Sequence, residues 1–98
     1  MKIRILESAY QDLINGYWFY EKQSERLVII ILDILFSDID SLQLYAGIHP
    51  ILYKKYHRLL SKRFPYAIYY QIKDKTVLIY AVIHCHRDPS FIGKKLNK

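Results

Sequence analysis

Four side chains are of the kinds that move protons and hold negative charge without a metal: His84, His86, Arg87 and, earlier in the chain, Arg58. Metal-free cleavage of RNA needs a base for the 2′-hydroxyl, cations to hold the phosphorane and an acid for the departing 5′-oxygen. His84 and His86 stand two apart, so on a regular strand they share a face. Arg87 beside them and Arg58 on a neighbouring strand would supply the cationic hold, and the acid and base would be the two histidines, or one of them with a Lys or Tyr. The same residues also have a purely structural reading. A histidine at a strand end commonly hydrogen-bonds nearby backbone and titrates near neutrality without doing chemistry. Arg87-Asp88-Pro89 can equally be a turn in which Arg87 pairs a carboxylate and Pro89 stops the strand. His49 and His57 have no sequence companions that raise them above solvated positions. Cys85 is the only cysteine, and with four histidines at these spacings it forms neither an internal disulfide nor a zinc pattern. No cofactor and no metal are expected.

Charge points to an anionic partner for the second half of the chain. Residues 1 to 52 sum to −3 and residues 53 to 98 to +9, together the net +6. Tyr53, Tyr56, Tyr66, Tyr69, Tyr70 and Tyr80 interleave with those cations, a pattern that can stack bases while Lys and Arg hold phosphates. The alternative places most of these rings in a sheet core, where Tyr is a favoured strand residue needing only one wet edge. There is no Gly-rich phosphate loop, ribonucleoprotein-type aromatic motif or helix-turn-helix signature.

The elements that must position these residues follow from periodicity. Ile3 to Leu6 reads as a first strand. Ser8, three residues before Gln11, has the spacing of a reciprocal helix cap. Ala9, Leu13, Tyr17 and Tyr20 then form a core-facing stripe, leaving Asp12, Asn15 and Glu21 off it, and the helix ends near Lys22. Ser24 caps a second helix through Leu27, Ile31, Ile34, Leu35 and Leu42, which stops before Gly47 and Pro50 and keeps Arg26, Asp33, Ser37 and Asp40 wet. Ile29 or Ile30 is left partly exposed, either as a scattered surface residue or as part of a partner groove. From Tyr53 the period changes to two, giving strands over 53 to 60, 66 to 72 and 76 to 85, with a hairpin turn over Lys73 to Lys75. The first strand is expected to pair antiparallel with the second, and the run from Thr76 to Cys85 to be central, because an edge would expose it. The tail from Asp88 is expected to pack as a last turn or strand. The fold class is α+β: a strand, a two-helix hairpin and a three-stranded antiparallel meander, with both helices on one sheet face.

Length and composition agree with this reading. With 98 residues, 52% hydrophobic and 24% charged, the chain supports one domain, 1 to 98, with a real core. The apolar run from Leu27 to Phe36 is broken by Asp33 and is about half the roughly 20 residues that span a bilayer. No export signal is evident at Met1-Lys2, so a reducing cytoplasm is the expected home, with no membrane partner.

Three segments carry a resemblance. Ser8-Ala9 with Asp12-Leu13, Arg63-Phe64-Pro65-Tyr66 leading into Ile68-Tyr69-Tyr70, and Val82-Ile83-His84-Cys85-His86-Arg87-Asp88-Pro89 together resemble the RelE/ParE superfamily of toxins from type II toxin–antitoxin systems, over nearly the whole chain. The most specific part is the last, similar to the His-Gly-Arg-Arg-Asp-Pro-like ending of ParE-like members. Cys85-His86 stands where that ending has Gly and Arg, so a backbone freedom and one cation are missing. The resemblance implies a cytoplasmic bacterial toxin, of the plasmid-stabilising kind, neutralised by a cognate antitoxin. It implies either poisoning of DNA gyrase, as in the ParE branch, or cleavage of ribosome-bound mRNA, as in the RelE branch. Lys54, Lys55, Arg58, Arg63 and Arg87 are the implied target contacts. The nucleases tend to carry a Tyr or His near the extreme C-terminus, where this chain has Asn97-Lys98, which favours the ParE side. A non-toxic RNA-binding or interaction domain is the reading from a different class.

Overall fold

A computed structural model describes residues 1–53 and 55–96. Its element order is β1 (Lys2–Ile5), α1 (Glu7–Glu21), α2 (Glu25–Tyr45), β2 (Ile51–Leu52), β3 (Tyr56–Leu60), β4 (Tyr66–Lys73), β5 (Thr76–His84) and α3 (Pro89–Leu96). The strands form one sheet in the order β1-β5-β4-β3-β2. The α+β architecture is as expected, with α1 and α2 packed on one face.

Each helix forms for a readable reason. In α2 the buried residues Val28, Ile31, Leu35, Ile39 and Leu42 recur every three or four positions, and the Ser24 hydroxyl accepts the Leu27 N–H at 3.4 Å. Ile29 and Ile30 remain 60% and 50% exposed. In α1 the inward stripe is Ala9, Leu13, Gly16 and Tyr20, not the expected one through Tyr17, which is exposed. Gly16 faces the Tyr66 hydroxyl, where an added Cβ would stand 3.8 Å away in ordinary contact. Ser8 does not cap α1. The N-cap is Leu6, with no side-chain bond, and the Ser8 hydroxyl is directed to the sheet.

The sheet departs from expectation in its first strand. β1 lies parallel to β5, with Lys2 opposite Thr76 and Ile5 opposite Ile79, instead of antiparallel to the first strand of the meander. The connection from β1 to β5 runs through both helices and β2 to β4, far longer than the crossover of about a dozen residues that a parallel neighbour requires. In this arrangement β5 has strands on both sides, and Val77 and Ile79 are completely buried. An additional two-residue strand, β2, edges the sheet beyond β3. β3, β4 and β5 form the expected meander. The β4–β5 hairpin closes through Asp74 and Lys75, both left-handed at φ 51 and 61, as a two-residue turn of this hand requires.

A bulge divides β5. Tyr69 pairs with Ala81 and Tyr70 with Ile79, so Tyr80 has no partner on β4. The extra residue reverses the facing. Val77, Ile79 and then Val82 meet the helices, whereas Ala81 and Ile83 turn to the opposite face. There the tail, expected as a turn or strand, is the helix α3, whose Ile92 and Leu96 pack against Tyr56, Ala67, Tyr69, Ala81 and Ile83. With both faces covered, β4 is buried from Tyr66 through Gln71.

β5 should therefore be the last segment to exchange its amide protons. Hydrogen exchange monitored by NMR is expected to rank Val77 to Ile79 and Ala81 to Ile83 slowest, with Tyr80 faster at the bulge. Rapid exchange throughout β5 would contradict this packing.

Candidate functional site

β1 pairs with β5 only as far as Ile79, so among the described residues the edge of β5 beyond it has no strand beside it. Side chains of α1 supply what a strand would. The Ser8 hydroxyl donates to the Tyr80 carbonyl at 2.6 Å, and Asp12 accepts the Val82 N–H at 2.9 Å. The other Asp12 oxygen takes the Lys95 ammonium at 2.6 Å, and the same ammonium donates to the Ser8 carbonyl at 3.1 Å. Because Lys95 belongs to α3, this cluster joins the helices of the two sheet faces across the open edge. Burial pushes the Asp12 carboxyl above its usual value, against the pull of Lys95 and the Val82 N–H. Asp12, placed by periodicity on a wet face, is thus an internal joint.

α3 starts where Asp88 caps it. The carboxylate accepts the Ser90 N–H at 2.8 Å, and Pro89 occupies the first helical position. These bonds hold the Asp88 carboxyl below the usual range. Arg87-Asp88-Pro89 is a helix start, and Arg87 pairs with no carboxylate among the described residues. Its guanidinium instead stacks 3.8 Å over the Phe91 ring. The Tyr56 hydroxyl donates to the Leu96 carbonyl at 2.6 Å and ties down the other end of the helix.

The residues nominated from sequence fall into two places. His84, His86 and Arg87 come together. The histidine rings lie 5.1 Å apart, His84 sits 5.2 Å from the Tyr66 ring, and its Nδ1 accepts the His86 N–H at 3.1 Å. Burial, then the charges of His86 and Arg87, push the His84 imidazole below its usual value. With Nδ1 accepting, the neutral ring carries its proton on Nε2. Arg58 is elsewhere. It pairs across to Tyr69, on the sheet face of α3, while the bulge has turned His84 toward Tyr66 and α1. Arg58 lies against the Tyr69 hydroxyl and draws down the Cys85 thiol, which burial pushes up more strongly. Its Nε is buried without a partner among the described residues. Lys55 is exposed, 5.5 Å from the Tyr56 ring centre, and Arg63 is exposed in the loop before β4. Lys54 lies outside the described residues.

Sequence reading missed two groupings. His49 and His57 have company after all. The Tyr70 hydroxyl accepts the Gly47 N–H at 3.0 Å and bonds to His49 Nδ1. His57 stacks on the Tyr70 ring at 4.9 Å and bonds through Nδ1 to the His49 carbonyl at 2.8 Å. This clamp fixes the loop from α2 into β2, where Gly47 has φ +100 and needs its missing side chain. The second grouping is a cleft of about 440 Å³ along the open β5 edge, lined on one side by Asn15, Gly16 and Phe19 and on the other by His84, Arg87 and Phe91. Asn15 and Phe19 gave no sequence signal, because the cleft exists only where α1 and α3 flank the same strand edge. No cluster of three or more metal-binding side chains occurs among the described residues.

Asp12→Ala should destabilise the fold by about 2 kcal/mol or more, since it leaves the Val82 N–H without an acceptor and the Lys95 ammonium without its counter-charge. Asp33→Ala on the wet face of α2 should change stability by less than about 0.5 kcal/mol in urea unfolding. His84 yields a second expectation. Its folded value is lowered, so the stability it contributes is present above the unfolded value and is lost as pH falls through the window between the two. An NMR titration should find it charging at lower pH than a model imidazole, and His84→Gln should remove that part of the acid sensitivity.

No family model matches the chain, and no curated protein matches it by sequence. A solved structure described as the chromosomal ParDE TA system from P. aeruginosa contains a chain with the same fold. The TM-score is 0.78 at 18% identity, and the match covers 86% of this chain and 95% of the other. The fold is therefore that of a chain from a ParDE system.

Proposed function

We propose that this chain is the toxin of a type II toxin–antitoxin pair, ParE-like, that inhibits growth by acting on DNA gyrase in the cytoplasm and is neutralised by a cognate antitoxin. The observation that carries this reading is the shared fold over most of both chains, with a chain from a system described as ParDE. Sequence features found independently of it, the ending His84 to Pro89 and the Phe64-Pro65-Tyr66 turn, support the same conclusion.

Surface chemistry supports an antitoxin of particular character. The helical hairpin has an apolar groove lined by Tyr10, Ile14, Tyr17, Trp18, Leu32 and Phe36. Trp18 is 58% exposed, an unusual cost for a monomer to carry. An antitoxin segment combining apolar anchors with acidic residues would bury this groove and be steered by the basic second half.

The arrangement of the nominated cations favours gyrase over mRNA cleavage. Arg58 and His84 lie on opposite sheet faces, so they cannot share one scissile phosphate, and His84 Nδ1 is already occupied. Without Arg58, the nuclease reading would have to rest on His84, His86 and Arg87, two histidines with a single cation beside them.

Induction in a permissive host is the test. Growth should stop, with loss of DNA supercoiling preceding any loss of mRNA integrity, and co-expression of the neighbouring antitoxin gene should restore growth. Early fragmentation of ribosome-bound mRNA, abolished by His86→Gln without loss of ribosome binding, would replace the gyrase reading with the nuclease one. Unimpaired growth would refute toxicity. For the antitoxin complex, raising salt should slow association more than it speeds release.

A further inference from the structure

We propose that the cleft along the open edge of β5 binds a phosphorylated nucleoside, either a free mononucleotide or one nucleotide unit of a single strand. The inference rests on the cleft alone and holds whether or not the chain is a toxin.

At about 440 Å³ the cleft lies within the size range of small-molecule sites, and its walls supply both parts of such a ligand. One part is planar and apolar. Phe19, which meets only the edge of Tyr20 among aromatic rings, is 60% exposed, and Phe91, beneath Arg87, is 38% exposed, so both leave aromatic area open. Arg87 stacks on Phe91, so a flat delocalised cation forms part of the same wall. A base can lie against these faces, where stacking is tolerant of base identity. The other part is anionic. Arg87 offers its guanidinium N–H groups, and His84 offers Nε2–H because its Nδ1 is committed to the His86 N–H. Among the described residues the only carboxylate in the lining is Asp12, which has one oxygen on Lys95 and the other on the Val82 N–H, so its charge is met inside the protein. Asn15, with an amide that can both donate and accept, stands on the α1 side, one helical turn from Phe19. An acidic peptide would satisfy Arg87 and His84 but gives no use to two exposed planar rings with an amide beside one of them.

The test is an NMR titration of the labelled chain with adenosine 5′-monophosphate, adenosine, inorganic phosphate, short single-stranded RNA and DNA, and a glutamate- and leucine-rich peptide. Shifts from the monophosphate should centre on Asn15, Gly16, Phe19, His84 and Phe91. Adenosine and phosphate should each bind more weakly than the monophosphate. Arg87→Gln should weaken the monophosphate about tenfold and adenosine by a smaller factor, whereas Phe19→Ala should weaken both by about tenfold and spare phosphate. Both side chains are exposed, and unchanged β5 exchange would verify the fold of each variant. Affinity for the monophosphate should rise as pH falls through the His84 titration, since the bound anion favours the charged ring. An oligonucleotide that binds more tightly than the monophosphate through the same residues identifies a strand as the source, and equal affinity identifies the free nucleotide. Three results would overturn the proposal: phosphate binding as tightly as the monophosphate, the peptide filling the cleft while the monophosphate shifts nothing, or shifts confined to the Arg58 and Tyr69 face.

Discussion

The carboxylate of Asp12 does what a longer β1 would otherwise do. A four-residue strand cannot cover a nine-residue one, and the uncovered stretch of β5 presents backbone groups that cost free energy when buried unpaired. Ser8 and Asp12, one helical turn apart on α1, meet two of them, at Tyr80 and Val82. Lys95 then finds its acceptors in the same cluster, which holds α3 to the far face. A desolvated carboxylate is expensive, as its raised protonation range shows, and here the expense is offset by two bonds that no neutral residue of that length would make together. The seating of α1 and α3, and therefore the walls of the cleft between them, depend on this one group.

The bulge at Tyr80 is the second constraint. It lets β5 turn Val77 and Ile79 toward the helices at one end, and at the other bring Val82 and His84 to that side while Ala81 and Ile83 support α3. Its consequence is to divide the basic residues. His84 and Arg87 border the cleft beside α1, and Arg58 stays with Tyr69 and Cys85 across the sheet. The surface therefore carries two separate cationic settings and an apolar groove on the helices. That distribution does not suit a single metal-free catalytic centre built from His84 and Arg58.

Much of this was determined by the sequence itself. Periods of three to four and then of two fixed the helical hairpin and the meander, because apolar spacing decides which elements can bury a face. Ser24, Gly47 and the Lys73 to Lys75 turn marked boundaries through local capping and turn chemistry, which neighbouring residues suffice to specify. The closeness of His84, His86 and Arg87 was legible for the same reason. Only the tertiary structure decided that β1 lies beside β5, that Tyr80 bulges, that the tail is a helix and that Asp12 faces inward. None of these is set by neighbouring residues alone: β1 and Asp12 depend on partners 70 or more residues away, such as Val82 and Lys95 for Asp12, and helical periodicity along α1 carries no information about an unpaired strand edge. The bulge sets His84 on the face opposite Arg58, because one extra residue in a strand reverses every side chain beyond it.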